Sequence, residues 1–91
     1  MNLETVVAVE YGGGITFIKL RNPKDEESIF AVYDSVPLRV GYSVEIKHTS
    51  RIKIEIRGEE KEFTRITEMG IYDNKILIGK YKEKEFNQII F

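Results

Sequence analysis

Arg39-Val-Gly-Tyr-Ser-Val-Glu-Ile-Lys-His-Thr-Ser-Arg-Ile-Lys-Ile-Glu-Ile-Arg57 alternates apolar and polar residues more regularly than any other stretch of this chain. Val40, Tyr42, Val44 and Ile46 fall on one side of an extended strand, with Gly41, Ser43, Glu45 and Lys47 on the other. Ile52, Ile54 and Ile56 repeat the pattern against Arg51, Lys53, Glu55 and Arg57. Strand side chains point to opposite faces with period two, so each run has one apolar and one solvated face. Between the runs, the short polar His48-Thr49-Ser50 reads as the tip of a connecting loop. The stretch is therefore expected to be a β-hairpin.

Upstream, Leu3–Tyr11 reads as a strand with Leu3, Thr5, Val7, Val9 and Tyr11 on one face. Gly12-Gly13-Gly14 breaks it, because glycine takes positive φ without a Cβ clash and so suits a tight turn. A phosphate-binding glycine loop would need a helix directly after it. Ile15–Arg21, the segment in that position, is β-branched and aromatic, which points to a second strand. Its faces differ in kind: Thr16, Ile18 and Leu20 suit a core, whereas Ile15, Phe17, Lys19 and Arg21 are aromatic and basic. Asn22–Ser28, with Pro23 and three consecutive acids, is a loop. Ile29–Asp34 is a third strand, and Asp34–Pro37 turns the chain toward the central hairpin.

Downstream, Gly58 permits another turn. Glu59–Thr67 mixes helix-forming charges with Phe63 and Ile66, and a strand from about Glu62 to Thr67 with a bulge is preferred to a helical turn. Met69–Ile78 has the form of a hairpin around Asp73-Asn74, two residues tolerant of left-handed backbone. The apolar end Phe86–Phe91 is expected to pair as a strand or to contact another subunit. Seven to eight short strands with closely spaced turns predict an all-β single domain over residues 1–91. A small antiparallel barrel is the expected architecture, with an SH3-like barrel or compact sandwich as alternatives.

Composition narrows the chemistry. The chain has 91 residues, 42% hydrophobic and 32% charged, as in a globular domain. It has no Cys, so disulfides and thiolate metal sites are excluded. With one His, at position 48 and without a nearby Asp to orient it, nucleophilic catalysis has no constellation to rest on. No metal ligand spacing is present and no cofactor is implied. The longest apolar runs, Val6–Val9 and Ile76–Ile78, fall far short of the roughly 20 residues of a membrane-spanning helix. The N-terminus lacks the features of a signal peptide, so a cytoplasmic setting is expected. Net charge is −1, yet residues 39–58 carry five basic side chains against two acidic ones.

Residues 5–57 resemble the five-stranded OB barrel of the translation initiation factor and ribosomal S1-type family. Thr5–Val9 looks like that family's opening strand, and Gly14–Leu20 like its second. Ile29–Val32 fits the third. Leu38–Ile46 is similar to the entry into the fourth, where a Val-Gly-Asp-x-Val pattern is common and Tyr42 here replaces the Asp. Ile52–Arg57 would be the fifth, and residues 58–91 would add further strands. The resemblance implies a non-catalytic module binding single-stranded RNA or DNA, with bases stacked on aromatic rings and cations along the phosphates. Phe17, Tyr33 and Tyr42 are the candidate platforms, and Lys19, Arg21, Arg39, Lys47, Arg51 and Lys53 the candidate phosphate contacts. Tyr42 also belongs to the apolar face of its own strand, where its ring would be packing instead. The alternative is a protein-protein interaction or self-assembly module, with exposed strand edges and Ile89-Ile90-Phe91 as the contact. That size suits a small accessory, inhibitor or structural protein, virus-encoded ones included.

Overall fold

The computed structural model describes residues 2–33, 36–83 and 85–88. Seven strands are present among them: β1 (Glu4–Gly12), β2 (Ile15–Arg21), β3 (Glu27–Val32), β4 (Ser43–Ile56), β5 (Glu59–Asp73), β6 (Ile76–Lys82) and β7 (Glu85–Gln88). The domain is all-β, and no helix is long and apolar enough to cross a membrane. The strands are ordered β3-β2-β1-β4-β5-β6-β7, and β3 also pairs with β5 in parallel through Phe30–Thr64 and Ala31–Arg65. That extra pairing joins the two sides of the order, so β1, β2, β3, β5 and β4 are neighbours in a closed cycle. Strands β6 and β7 extend β5 outward. The Ile89-Ile90-Phe91 tail lies outside the described residues, as does the Asp34-Ser35 part of the third-strand exit.

The predicted hairpin with its tip at His48-Thr49-Ser50 is not formed. A single strand, β4, runs through these residues, and β5 backs them in register: His48 opposite Glu68, Thr49 opposite Ile66, Ser50 opposite Arg65. The physical reason is a matched pair of bulges. Lys47 is the extra residue on β4 and Thr67 the extra residue on β5, so the overall register is kept while both strands bend. The carbonyl that bulging frees at Thr67 accepts the Glu83 N–H at 2.7 Å. An extra residue also inverts the faces. Val44 is buried and Ile46 packs on the core, but Ile52, Ile54 and Ile56 emerge on the opposite side, half-exposed. The real turn comes later, at Arg57-Gly58, with φ of 53° and 79° between the paired Ile56 and Glu59. Two consecutive positive φ values are the signature of a type I′ turn, whose twist matches that of the strands.

Other boundaries shift for similar local reasons. Val40 does not share the apolar face of Val44. It is 66% exposed, because Gly41 (φ 101°) and the Tyr42 N–H donated to Arg39 O turn the chain before β4 begins. In β1 the bulge between Val6 and Ala8 puts Val6 inside and then Val9 against the core, rather than Thr5, Val7 and Val9 together. Strand β3 starts at Glu27, two residues before the expected Ile29, held by Arg21–Glu27 pairing across the strands at 2.7 Å. The β5–β6 hairpin turns on Asn74-Lys75, one residue beyond the expected pair, with φ of 50° and 67°. Glu59–Thr67 is strand, and its bulge is at Thr67.

The core forms where these faces meet. Thr16, Ile18 and Leu20 of β2 are buried, as their alternation requires, and Val6, Val32, Val36, Leu38, Val44, Ile66, Met69, Ile71 and Tyr81 join them. Full burial of an aliphatic side chain of this size contributes about 1.5–3 kcal/mol. The Tyr11 hydroxyl donates to Leu38 O at 3.0 Å, tying the far end of β1 to the segment that leads into β4.

Candidate functional site

The site grows from the face of β2 that the core leaves over. Because Thr16 and Ile18 point inward, Phe17 and Lys19 point outward. On β5, Ile66 is buried and Thr64 stands beside Phe30 of β3, so Phe63 and Arg65 take the same outward face. The two strands therefore carry the same motif, an aromatic residue with a cation two positions later. Their aromatic members meet: the Phe17 and Phe63 ring centroids are 5.2 Å apart with planes tilted by 57°. This pair lines an open groove of about 420 Å³ with Tyr11, Ile29 and Ile56. Gly12, at the start of the β1–β2 turn, borders it on one side, and the last residue of β4 on the other.

A more polar hollow continues from the aromatic groove, sharing Ile29 and Phe63 and adding Lys19, Arg51, Glu27 and Glu62. On the other side of Ala31, the Arg65 guanidinium lies 4.6 Å from the centroid of the Tyr33 ring. Arg65 is fixed from several directions. It donates to Ser50 Oγ at 3.2 Å and to Glu83 Oε1 at 2.8 Å, and its side chain is only 15% exposed. The arrangement presents two aromatic platforms about one strand apart, with a cation beside each.

These cations are not bare. Arg51 donates to Glu62 at 2.7 Å, Arg21 to Glu27 at 2.7 Å, and Lys53 lies 3.7 Å from Glu60. The hydrogen bond from Arg21 holds the Glu27 carboxyl below the ordinary glutamate range. Partners of this kind on an open surface are screened by solvent and weakly held, so an incoming anion can exchange with them.

Of the nine residues expected at a nucleic-acid face, Phe17, Lys19 and Arg51 come together here, and Tyr33 joins through Arg65. Arg21 lies at the end of β2, exposed, and Lys53 lies further along the β4–β5 arm. The other three belong elsewhere. Tyr42 is half-buried and packs against the core, so its ring is no platform. Lys47 occupies the β4 bulge, bonded to Glu45 at 2.6 Å, and lines a separate hollow with Tyr72 and Leu77. Arg39 is exposed in the turn before β4. Phe63 and Arg65 escape the sequence reading because the helix-forming charges around them blur the alternation that would assign their faces. The repeated aromatic-x-cation spacing of Phe17-x-Lys19 and Phe63-x-Arg65 is the signal that could have found them.

Among the described residues no three His, Asp or Glu side chains are grouped to hold a metal ion. Comparison with known protein families, curated proteins and solved structures finds no match to this chain.

Proposed function

We propose that the closed cycle β1-β2-β3-β5-β4 is an OB-like barrel and that the chain is a non-catalytic, cytoplasmic module binding single-stranded nucleic acid. OB barrels bind oligonucleotides on the face of their second and third strands, between the loops joining strands one to two and four to five. In support of this reading, the groove is lined by Phe17 of β2, Ile29 of β3 and Phe63 of β5, and it is bordered by Gly12 at the β1–β2 turn and Ile56 at the β4–β5 turn. The observation that carries the reading is the Phe17–Phe63 pair with Lys19 and Arg51 beside it. Bases stack on any aromatic face without regard to sequence, while cations track the backbone. Tyr33, with Arg65 over its ring, supplies a second platform.

The test is fluorescence anisotropy with labelled single-stranded DNA and RNA pools at low and at physiological salt. Micromolar or tighter binding that weakens with salt, and is lost in Phe17→Ala combined with Lys19→Ala, supports the reading. Absence of binding at low salt rejects it.

A further inference from the structure

We propose that the open edge of β4 between Arg51 and Ile56 pairs with the same edge of a second copy of this chain. The inference stands on the sheet edge and not on the nucleic-acid reading. Strand β4 meets β1 only at Ser43 and Val44, and no described strand pairs with that edge from His48 onward. A row of unpaired N–H and C=O groups is a template for another strand. The Arg57-Gly58 turn makes Ile56 and Glu59 the closing hydrogen-bonded pair, and bonding alternates from there. Lys53 and Glu55 consequently turn their backbone groups away from β5, toward the open edge.

The side chains select the partner and the register. An antiparallel pairing with its two-fold axis at Ile54 sets Lys53 of each copy opposite Glu55 of the other. It also sets Ile54 on Ile54 and Ile52 on Ile56, so every isoleucine of the edge meets another. A register centred on Lys53 would stack lysine on lysine and leave Ile56 facing Ser50. Within its own chain Glu55 stands opposite Glu60 and makes no salt bridge among the described residues, while Lys53 reaches toward Glu60 at 3.7 Å. Like charges directly opposite destabilise a ladder, and a lysine delivered by a second copy offsets that repulsion. The contact is self-complementary, as a two-fold dimer requires.

Single-cysteine variants test this cleanly, because the chain has no Cys. At the two-fold axis Ile54 faces its own copy at about 4.5 Å between Cα atoms, within disulfide reach. Two Ile52 residues would be separated by about four residues of strand, roughly 13 Å, which is beyond it. Under mild oxidation Ile54→Cys is expected to give a disulfide-linked dimer and Ile52→Cys to remain monomeric. In sedimentation equilibrium of the unmodified chain a dimer is expected, weakened about tenfold by Glu55→Lys and recovered when that variant is mixed with Lys53→Glu. Circular dichroism melts verify that each variant is folded. A monomer at about 1 mM, equal cross-linking at positions 52 and 54, or a dimer indifferent to Glu55→Lys would overturn the proposal.

Discussion

Phe63→Ala is the substitution that tests the stacking platform most directly. The Phe63 ring lies 5.2 Å from that of Phe17 and stands half-exposed above the groove, so on the proposed reading it would both pack and stack on a base. Stacking of one base on an aromatic side chain is worth about 1–3 kcal/mol by alanine substitution. At 1.4 kcal/mol per tenfold, the dissociation constant for a single-stranded oligonucleotide should rise about 5- to 150-fold. The fold loses less. A fully buried Phe→Ala change costs about 3–5 kcal/mol, and a half-exposed ring loses about half of that, leaving the chain folded. Phe63→Leu separates the two effects, since it keeps most of the apolar area and discards the π-face. It should retain stability and still bind worse than the parent chain. The assay is anisotropy at fixed salt, with thermal unfolding of each variant alongside. A dissociation constant within about twofold of the parent for Phe63→Ala, with a normal melt, would refute the platform.

Lys19→Ala should lower the slope of log affinity against log salt by about 0.7, the value for one phosphate contact on a single strand. Lys47→Ala, on a different face and bonded to Glu45, should leave that slope unchanged. Leu20→Ala removes a fully buried side chain of β2 and should cost about 2–5 kcal/mol in chemical denaturation. Arg57→Asn puts a residue tolerant of left-handed backbone at a φ of 53° in the type I′ turn and creates Asn-Gly, so it should raise the unfolding midpoint. Glu27 should titrate below the ordinary glutamate value by carboxyl NMR, because Arg21 hydrogen-bonds its charged form, and Arg21→Ala should move it back up. A lowered carboxyl pKa favours the folded state above the unfolded-chain value. Its contribution is therefore lost as pH falls through the folded value. Glu4 has the opposite sign: burial raises its pKa, so Glu4→Gln should stabilise the chain at neutral pH and make no difference in acid.

The alternation of β2 is readable in full from Thr16, Ile18 and Leu20 because no bulge on that strand interrupts it. Strands β1 and β4 are readable only up to their bulges. A period-two pattern carries no mark where an extra residue enters, so Val7 and Lys47 silently invert the faces of the residues after them. At His48-Thr49-Ser50 short polar residues imitate a turn, since a bulge and a loop both favour residues that leave the apolar face. The decision lies with β5, whose own extra residue at Thr67 matches that of β4, and a local reading of either strand cannot see the match. The site is half readable for the same reason. Phe17 and Lys19 come from the clean strand, while Phe63 and Arg65 need the register of β3 against β5 to come alongside.

The pairing of charges on this face bears on how it would bind. Arg51 already has Glu62, Arg65 has Glu83, and Arg21 has Glu27, so each phosphate contact at these positions begins by displacing a carboxylate. Arg51 and Arg21 are open to solvent and exchange at little cost, whereas Arg65 is largely enclosed and held at Ser50 as well. Arg65 therefore acts by holding Tyr33 in place beneath its guanidinium more than by meeting a phosphate. Lys19, which forms no salt bridge among the described residues, is left as the readiest phosphate contact beside the aromatic pair. A face with one ready cation and three rings should bind through stacking first, with a salt slope near that of one or two phosphates. A measured slope corresponding to about five or more would place the phosphate contacts on some other surface of the domain.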